Sequence, residues 1–133
     1  LKNISITNNR NFLDIQKSLE GAGLSVLQAT SENQFSVSPR VVFFVSDPKR
    51  ASDWFFTKGI ELGTWFSGSL SPLPIFNFDI NFFPNAQFVS NHIVNLPCHN
   101  RLTKCDLAWL KNVIESFAKE NPDQLNVDIK DIS

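Results

Sequence analysis

The side chains of this chain that could bind a metal or act as nucleophiles gather between positions 92 and 105, where His92, Cys98, His99 and Cys105 fall within 14 residues. Zinc needs four such donors converging tetrahedrally, and the spacing matches none of the usual ligand pairs, so structural roles are expected for both cysteines. Cys105 falls in the first turn of a helical pattern, where a thiol can be acidified, but no acid or base is placed beside it by sequence. Either histidine could serve as a general base with an aspartate behind it, yet no nucleophile-elbow motif is present. A histidine bonded to backbone at a strand end or turn is the simpler reading. The carboxylates are spread singly, and Asp79 cannot be paired with Asp47 or Asp53 from sequence. No catalytic residue and no metal ligand is assigned.

A second segment, Gly59-Ile60-Glu61-Leu62-Gly63-Thr64-Trp65-Phe66-Ser67-Gly68-Ser69-Leu70-Ser71-Pro72, sets two large aromatics beside small residues. Trp65 and Phe66 suit a core or domain interface, and also a ligand contact.

The elements that position these residues follow from periodicity. Phe12, Ile15, Leu19 and Ala22 recur at three- and four-residue spacing, with Asn8 or Asn9 as a cap and Gly21 and Gly23 as a stop, which predicts a helix. Leu24 to Thr30 alternates like a strand, and Arg-Val-Val-Phe-Phe-Val at 40–45 reads as a strand covered on both faces. Asp47-Pro48 caps and opens a helix that Gly59 stops. Residues 60–66 read as a short strand or extended segment, and the glycine and prolines that follow impose an irregular loop to about residue 83. Pro84 opens a short helix through Asn91, and residues 92–96 form a strand stopped by Pro97. Thr103 and Asp106 form a capping box ahead of the stripe Leu107, Leu110, Val113, Ile114 and Phe117, which Asn121-Pro122 ends. The tail from Asp123 alternates Leu125, Val127 and Ile129, suiting either an extra strand or a frayed end. The order predicts an α+β two-layer sandwich, a small and mainly antiparallel sheet packed against helices.

At 133 residues with 42% hydrophobic and 19% charged side chains, one soluble globular domain is expected, with residues 1–23 a linker helix and 123–133 a tail. A net charge of −1, with Lys49-Arg50 as the longest basic cluster, argues against nucleic acid as a partner. No apolar run suits a membrane span. Two cysteines favour a reducing compartment, with the cytoplasm as the default. No glycine-rich phosphate loop occurs. Thirteen Phe and three Trp against no Tyr imply faces that something apolar must cover, and the start at Leu1 without any methionine suggests a fragment or processed product.

Two segments bring in a resemblance. Gly59 to Phe66 resembles the GI-x-x-G-x-W-F stretch of DegT-type aminotransferases, with Ser71-Pro72 where many relatives carry His-Pro. Pro84 to His99 resembles the P-x-A-x-x-x-x-x-x-I-V-N-L-P-x-H run of the same family, followed by Leu102-Thr103 at the start of the last helix. The resemblance spans about residues 8–120. It implies the C-terminal small domain of a fold-type I enzyme that uses pyridoxal phosphate to move an amino group, from glutamate, onto a keto-sugar nucleotide. The large domain with its Schiff-base lysine would be the missing partner, the parent a homodimer, and the cofactor absent from this chain, which alone is expected to be inactive. Thr64, Trp65, Phe66 and Ser71 are the positions that the resemblance places near substrate, and serine at 71 removes a contact that histidine would make. Asn95, Leu96, Pro97 and His99 are better explained as a strand end and turn fixing the last helix. Two other readings stay open: a free-standing ligand-binding module closed by the loop 67–83, and a contact domain built on Phe76, Phe78, Phe82 and Phe83.

Overall fold

A computed structural model describes residues 2–27, 39–64 and 83–127. Four α-helices and two strands occupy these stretches: α1 (Lys2–Gly21), β1 (Arg40–Phe44), α2 (Pro48–Thr57), α3 (Pro84–His92), β2 (Ile93–Pro97) and α4 (Lys104–Glu120), followed by a 3-10 turn at Pro122–Leu125. This is the α+β arrangement expected.

The strands β1 and β2 pair antiparallel with Arg40 opposite Pro97 and Val42 opposite Asn95. Single antiparallel bridges extend this pair on each side, Val26 to Phe43 and Gly63 to Asn95. Alternation along the strands sorts their side chains. Val41, Phe43, Val45, Val94 and Leu96 point into the main core with Phe12, Ile15 and Leu19 of α1, Phe55 of α2, and Ile114 and Phe117 of α4. The opposite face carries Phe44 and Ile93, which pack with Val127 and with Phe88 and Val89 of α3.

Local capping chemistry sets the helix ends. The Asp47 carboxylate accepts from the Arg50 N–H at 3.0 Å, Pro48 occupies the first turn, and Gly59 takes φ +79° just beyond α2. At α4 the Thr103 hydroxyl accepts from the Asp106 N–H while the Asp106 carboxylate accepts from the Thr103 N–H, a complete capping box. Trp54, Phe55 and Phe117 form an aromatic cluster with ring centroids 4.9–5.2 Å apart, which locks α2 onto α4.

Three boundaries differ from expectation. The first helix starts at Lys2, so Asn8 and Asn9 do not cap it. Asn8 is buried instead, and its backbone carbonyl accepts from the Cys98 thiol at 3.7 Å. The alternation from Leu24 yields one bridged residue rather than a strand as far as Leu27, and residues 28–30 lie outside the described stretches. The tail forms a 3-10 turn through Leu125, because the buried Gln124 side chain accepts from the Asp47 N–H at 2.9 Å and fixes the turn against α2. Among the described residues, no helix is long and apolar enough to cross a membrane.

Candidate functional site

The two sequence segments singled out above, 32 residues apart at their nearest bonded pair, meet at Gly63 and Asn95. Their backbones exchange hydrogen bonds, Gly63 N–H to Asn95 O at 2.9 Å and Asn95 N–H to Gly63 O at 3.0 Å. The Asn95 side chain adds two more: Nδ2 donates to Gly63 O at 2.9 Å, and Oδ1 accepts from Arg40 Nη1 at 2.7 Å. Asn95 is only 6% exposed, and a buried amide in an apolar strand is tolerated because each of its polar groups is bonded. Register explains the Arg40 contact, since Arg40 opposite Pro97 lies diagonal to Asn95 on the same sheet face. Gly63 is required by space. A Cβ there would sit 2.7 Å from Arg40 Nη1 and 2.8 Å from Asn95 Cγ, and closer still to Asn95 Oδ1.

Beside this junction opens a cleft of about 600 Å³ between the segment 59–64, the end of β2 and the first half of α4. Its walls include the buried Leu62, Leu96 and Leu110. Its polar and aromatic groups are Arg40, Glu61, Thr64, Asp106 and a half-exposed Trp109. The backbone and hydroxyl bonds from Thr103 hold the Asp106 carboxyl below the usual carboxylate range, so this group is committed to capping α4. Among the described residues that line the cleft there is no histidine, cysteine or lysine.

Of the site residues picked from sequence, Thr64 lies at this cleft, exposed, one residue beyond the Gly63 bridge. Trp65, Phe66 and Ser71 lie outside the described residues, as do Phe76, Phe78 and Phe82. The histidines have backbone partners, as the simpler reading required. His92 Nδ1 lies 3.0 Å from Val45 O, and because a carbonyl only accepts, Nδ1 carries the proton. His99 Nδ1 accepts from the Arg101 N–H at 3.2 Å. Cys98 is buried, and desolvation pushes its thiol up to about 11, while Cys105 is exposed. Among the described residues, no group of three His, Cys, Asp or Glu is placed to hold a metal. Sequence reasoning passed over Arg40 and gave Asn95 a turn-fixing role. The signal was there in a single polar residue within the run Ile93-Val94-Asn95-Leu96, which demands a partner wherever the strand is buried.

The fold of the described residues is that of part of known aminotransferases. It matches a DegT DnrJ EryC1 StrS aminotransferase from Brucella abortus at a TM-score of 0.75 and 14% identity, over 86% of this chain and 31% of that one. It also matches a protein from Streptococcus pneumoniae assigned as a sugar aminotransferase, in its PMP form, at 0.75 and 14%, over 90% of this chain and 32% of that one. The chain thus spans about a third of the length of these structures. No protein-family profile matches it, and no curated protein matches its sequence. A Schiff-base cofactor requires a lysine in the wall of a cleft. The lysines whose side chains are described, Lys17, Lys49, Lys58, Lys104, Lys111 and Lys119, are all exposed, and none is among the described residues that line the 600 Å³ cleft.

Proposed function

We propose that this chain is the C-terminal small domain of a pyridoxal-phosphate-dependent aminotransferase that moves an amino group, from glutamate, onto a keto-sugar nucleotide. The observation that carries this reading is the Gly63–Asn95 junction. The two segments that resemble the family lie apart in the sequence, and they are bonded to each other in a fold shared with a third of an aminotransferase. The remaining two-thirds of such an enzyme would supply the Schiff-base lysine, the cofactor pocket and the contacts of a homodimer, in the cytoplasm. Thr64, and with it Trp65, Phe66 and Ser71, would face the substrate from the small-domain side. The chain alone is then inactive.

The test is to add pyridoxal phosphate to the purified chain, reduce with borohydride and map any modified lysine by mass spectrometry, alongside an assay for 2-oxoglutarate release from glutamate. Neither stoichiometric labelling nor transamination is expected. Labelling of a single lysine at one equivalent would overturn the reading, because the chain would then hold an active site of its own. A free-standing ligand-binding module is the second reading, favoured by the 600 Å³ cleft with its mixed apolar and polar lining. Native mass spectrometry showing a copurifying small molecule would support it.

A further inference from the structure

We infer that residues 122–127 form an acid-released clasp, a turn that lets go of α2 as one unit while the helices stay packed, and that in doing so bares Phe44 and Ile93 on the second face of the sheet. The inference uses no part of the proposed function.

The clasp has a hinge. Pro122 brings no N–H to continue the ladder of α4, and Asn121 closes that helix on itself, its backbone N–H and Nδ2 donating to Phe117 O at 2.9 and 3.2 Å. The turn beyond the hinge therefore moves without taking a bond from the body of α4.

Its latch is polar and lies largely at the surface. Arg50 of α2 reaches both sides of the hinge, with Nη1 on Asp123 Oδ2 and Nη2 on Asp123 Oδ1 at 3.2 Å and on Asn121 Oδ1 at 3.1 Å. The Arg50 and Asp123 side chains are 50% and 57% exposed. Ser46 Oγ donates to Asp123 O at 2.9 Å, the Ser46 N–H to Gln124 O at 3.2 Å, and the Asp47 N–H to the buried Gln124 Oε1 at 2.9 Å. Leu125 touches the main core from a half-buried position, whereas Val127 packs with Phe44 and Ile93 in a separate small cluster. Exposed hydrogen bonds and few buried apolar contacts mark the part of a fold that opens first.

Acid is the trigger that the charges select. The hydrogen bond from Arg50 holds the exposed Asp123 carboxyl below the usual carboxylate range. Such a group contributes fully above its unfolded pKa, and the contribution disappears as pH falls through the folded value. The neighbouring charges have partners of their own. On α2 the Asp47 carboxylate accepts from the Arg50 N–H and Lys49 pairs with Asp53, and at the end of α4 Glu120 accepts from the Trp54 indole while Lys119 is exposed. Protonating His92 leaves its Nδ1 donor to Val45 O in place. Once the turn lifts, Val127 no longer covers Phe44 and Ile93, which with Val42, Phe88 and Val89 make an apolar face.

The experiment is amide hydrogen exchange of the 133-residue chain by NMR, read as protection factors from neutral pH down to about pH 3. The amides of Ser46, Asp47, Gln124 and Val127 are expected to share one opening, more frequent than that of Ile114 and Phe117 within α4, and to lose protection in acid while those two keep theirs. D123N removes the charge and touches none of the four backbone N–H bonds. It is expected to lower the protection of all four by about two- to fivefold at neutral pH and to flatten their acid dependence. V127A removes two buried methyl groups and is expected to lower all four by about tenfold. Ile114 and Phe117 report whether a variant is folded, and D123N, at an exposed position, decides the matter if V127A is not. Binding of an apolar dye is expected to rise over the same pH range as the opening. Four amides that exchange only together with Ile114 and Phe117, a D123N chain with the protection or the acid dependence of the parent, or an opening without dye binding overturns the inference.

Discussion

Replacing Gly63 by alanine adds one methyl group where two side chains already meet. That carbon would sit 2.7 Å from Arg40 Nη1 and 2.8 Å from Asn95 Cγ, below any ordinary contact distance, so either the Asn95 side chain or the 59–64 edge must move. If Asn95 swings away, its bonds to Arg40 Nη1 and Gly63 O are both lost, and a buried amide is left to find partners. If the edge withdraws, the reciprocal backbone pair is lost instead. An unsatisfied buried polar group costs about 1–3 kcal/mol and overpacking about 1–3 kcal/mol, so G63A is expected to destabilise by about 2–4 kcal/mol. At roughly 4 °C per kcal/mol for a chain of this size, Tm falls by about 8–16 °C. The control is Gly21, where an added Cβ meets nothing within 4 Å and φ is not positive. G21A is expected to be neutral or to stabilise by about 0.4–1 kcal/mol through the unfolded chain. Thermal and urea unfolding followed by circular dichroism measures both. A G63A protein within about 0.5 kcal/mol of the parent, the usual scatter of a surface substitution, would refute the argument that close approach demands glycine there.

F117A removes the fully buried ring that joins Trp54 and Phe55, and is expected to cost about 3–5 kcal/mol in urea unfolding. T103A breaks the capping box and is expected to cost about 0.5–2 kcal/mol at neutral pH by the same measurement. Because the folded-state pKa of Asp106 is lowered, its contribution is present above the ordinary carboxylate pKa and disappears as pH falls through the folded value; D106N should flatten that acid-side slope in a pH series of urea midpoints. Alkylation of the native chain at mildly alkaline pH is expected to label Cys105 and spare Cys98, whose thiol is pushed up to about 11, with both labelled in urea; equal native rates by peptide mass spectrometry would contradict the buried assignment.

Elements written in local chemistry were readable in advance. Asp47-Pro48 and Gly59 bound α2, Thr103 with Asp106 starts α4, and the β-branched and aromatic run at 41–45 gives β1, because each signal acts within a few residues of its effect. The start of α1 was hidden, since what happens at Asn8 depends on Cys98, 90 residues away. The same holds for the tail, where Gln124 turns on a bond to Asp47. At the candidate site, Thr64 was named as the start of an aromatic segment, and it lines the cleft. Arg40 was missed, because as the first residue of an apolar strand it reads as a solvated end. Only the antiparallel register brings it diagonal to Asn95 and beside Gly63.

The docking of α1 has a consequence for synthesis on the ribosome. Asn11, fully buried, donates through Nδ2 to His99 O at 3.0 Å and Leu102 O at 3.4 Å, and Phe12, Ile15 and Leu19 share one core with Leu110, Ile114 and Phe117 of α4. Those partners are translated roughly 90 residues later, which at about 5–20 residues per second is on the order of 5–20 s. Through that interval the apolar stripe of α1 can meet only the earlier part of its core, Val41 and Phe43 of β1 and Phe55 of α2, while the side that α4 covers stays open. Trigger-type chaperones that hold exposed apolar helices, or slowed elongation after residue 20, would therefore change the yield of folded chain more than its final stability.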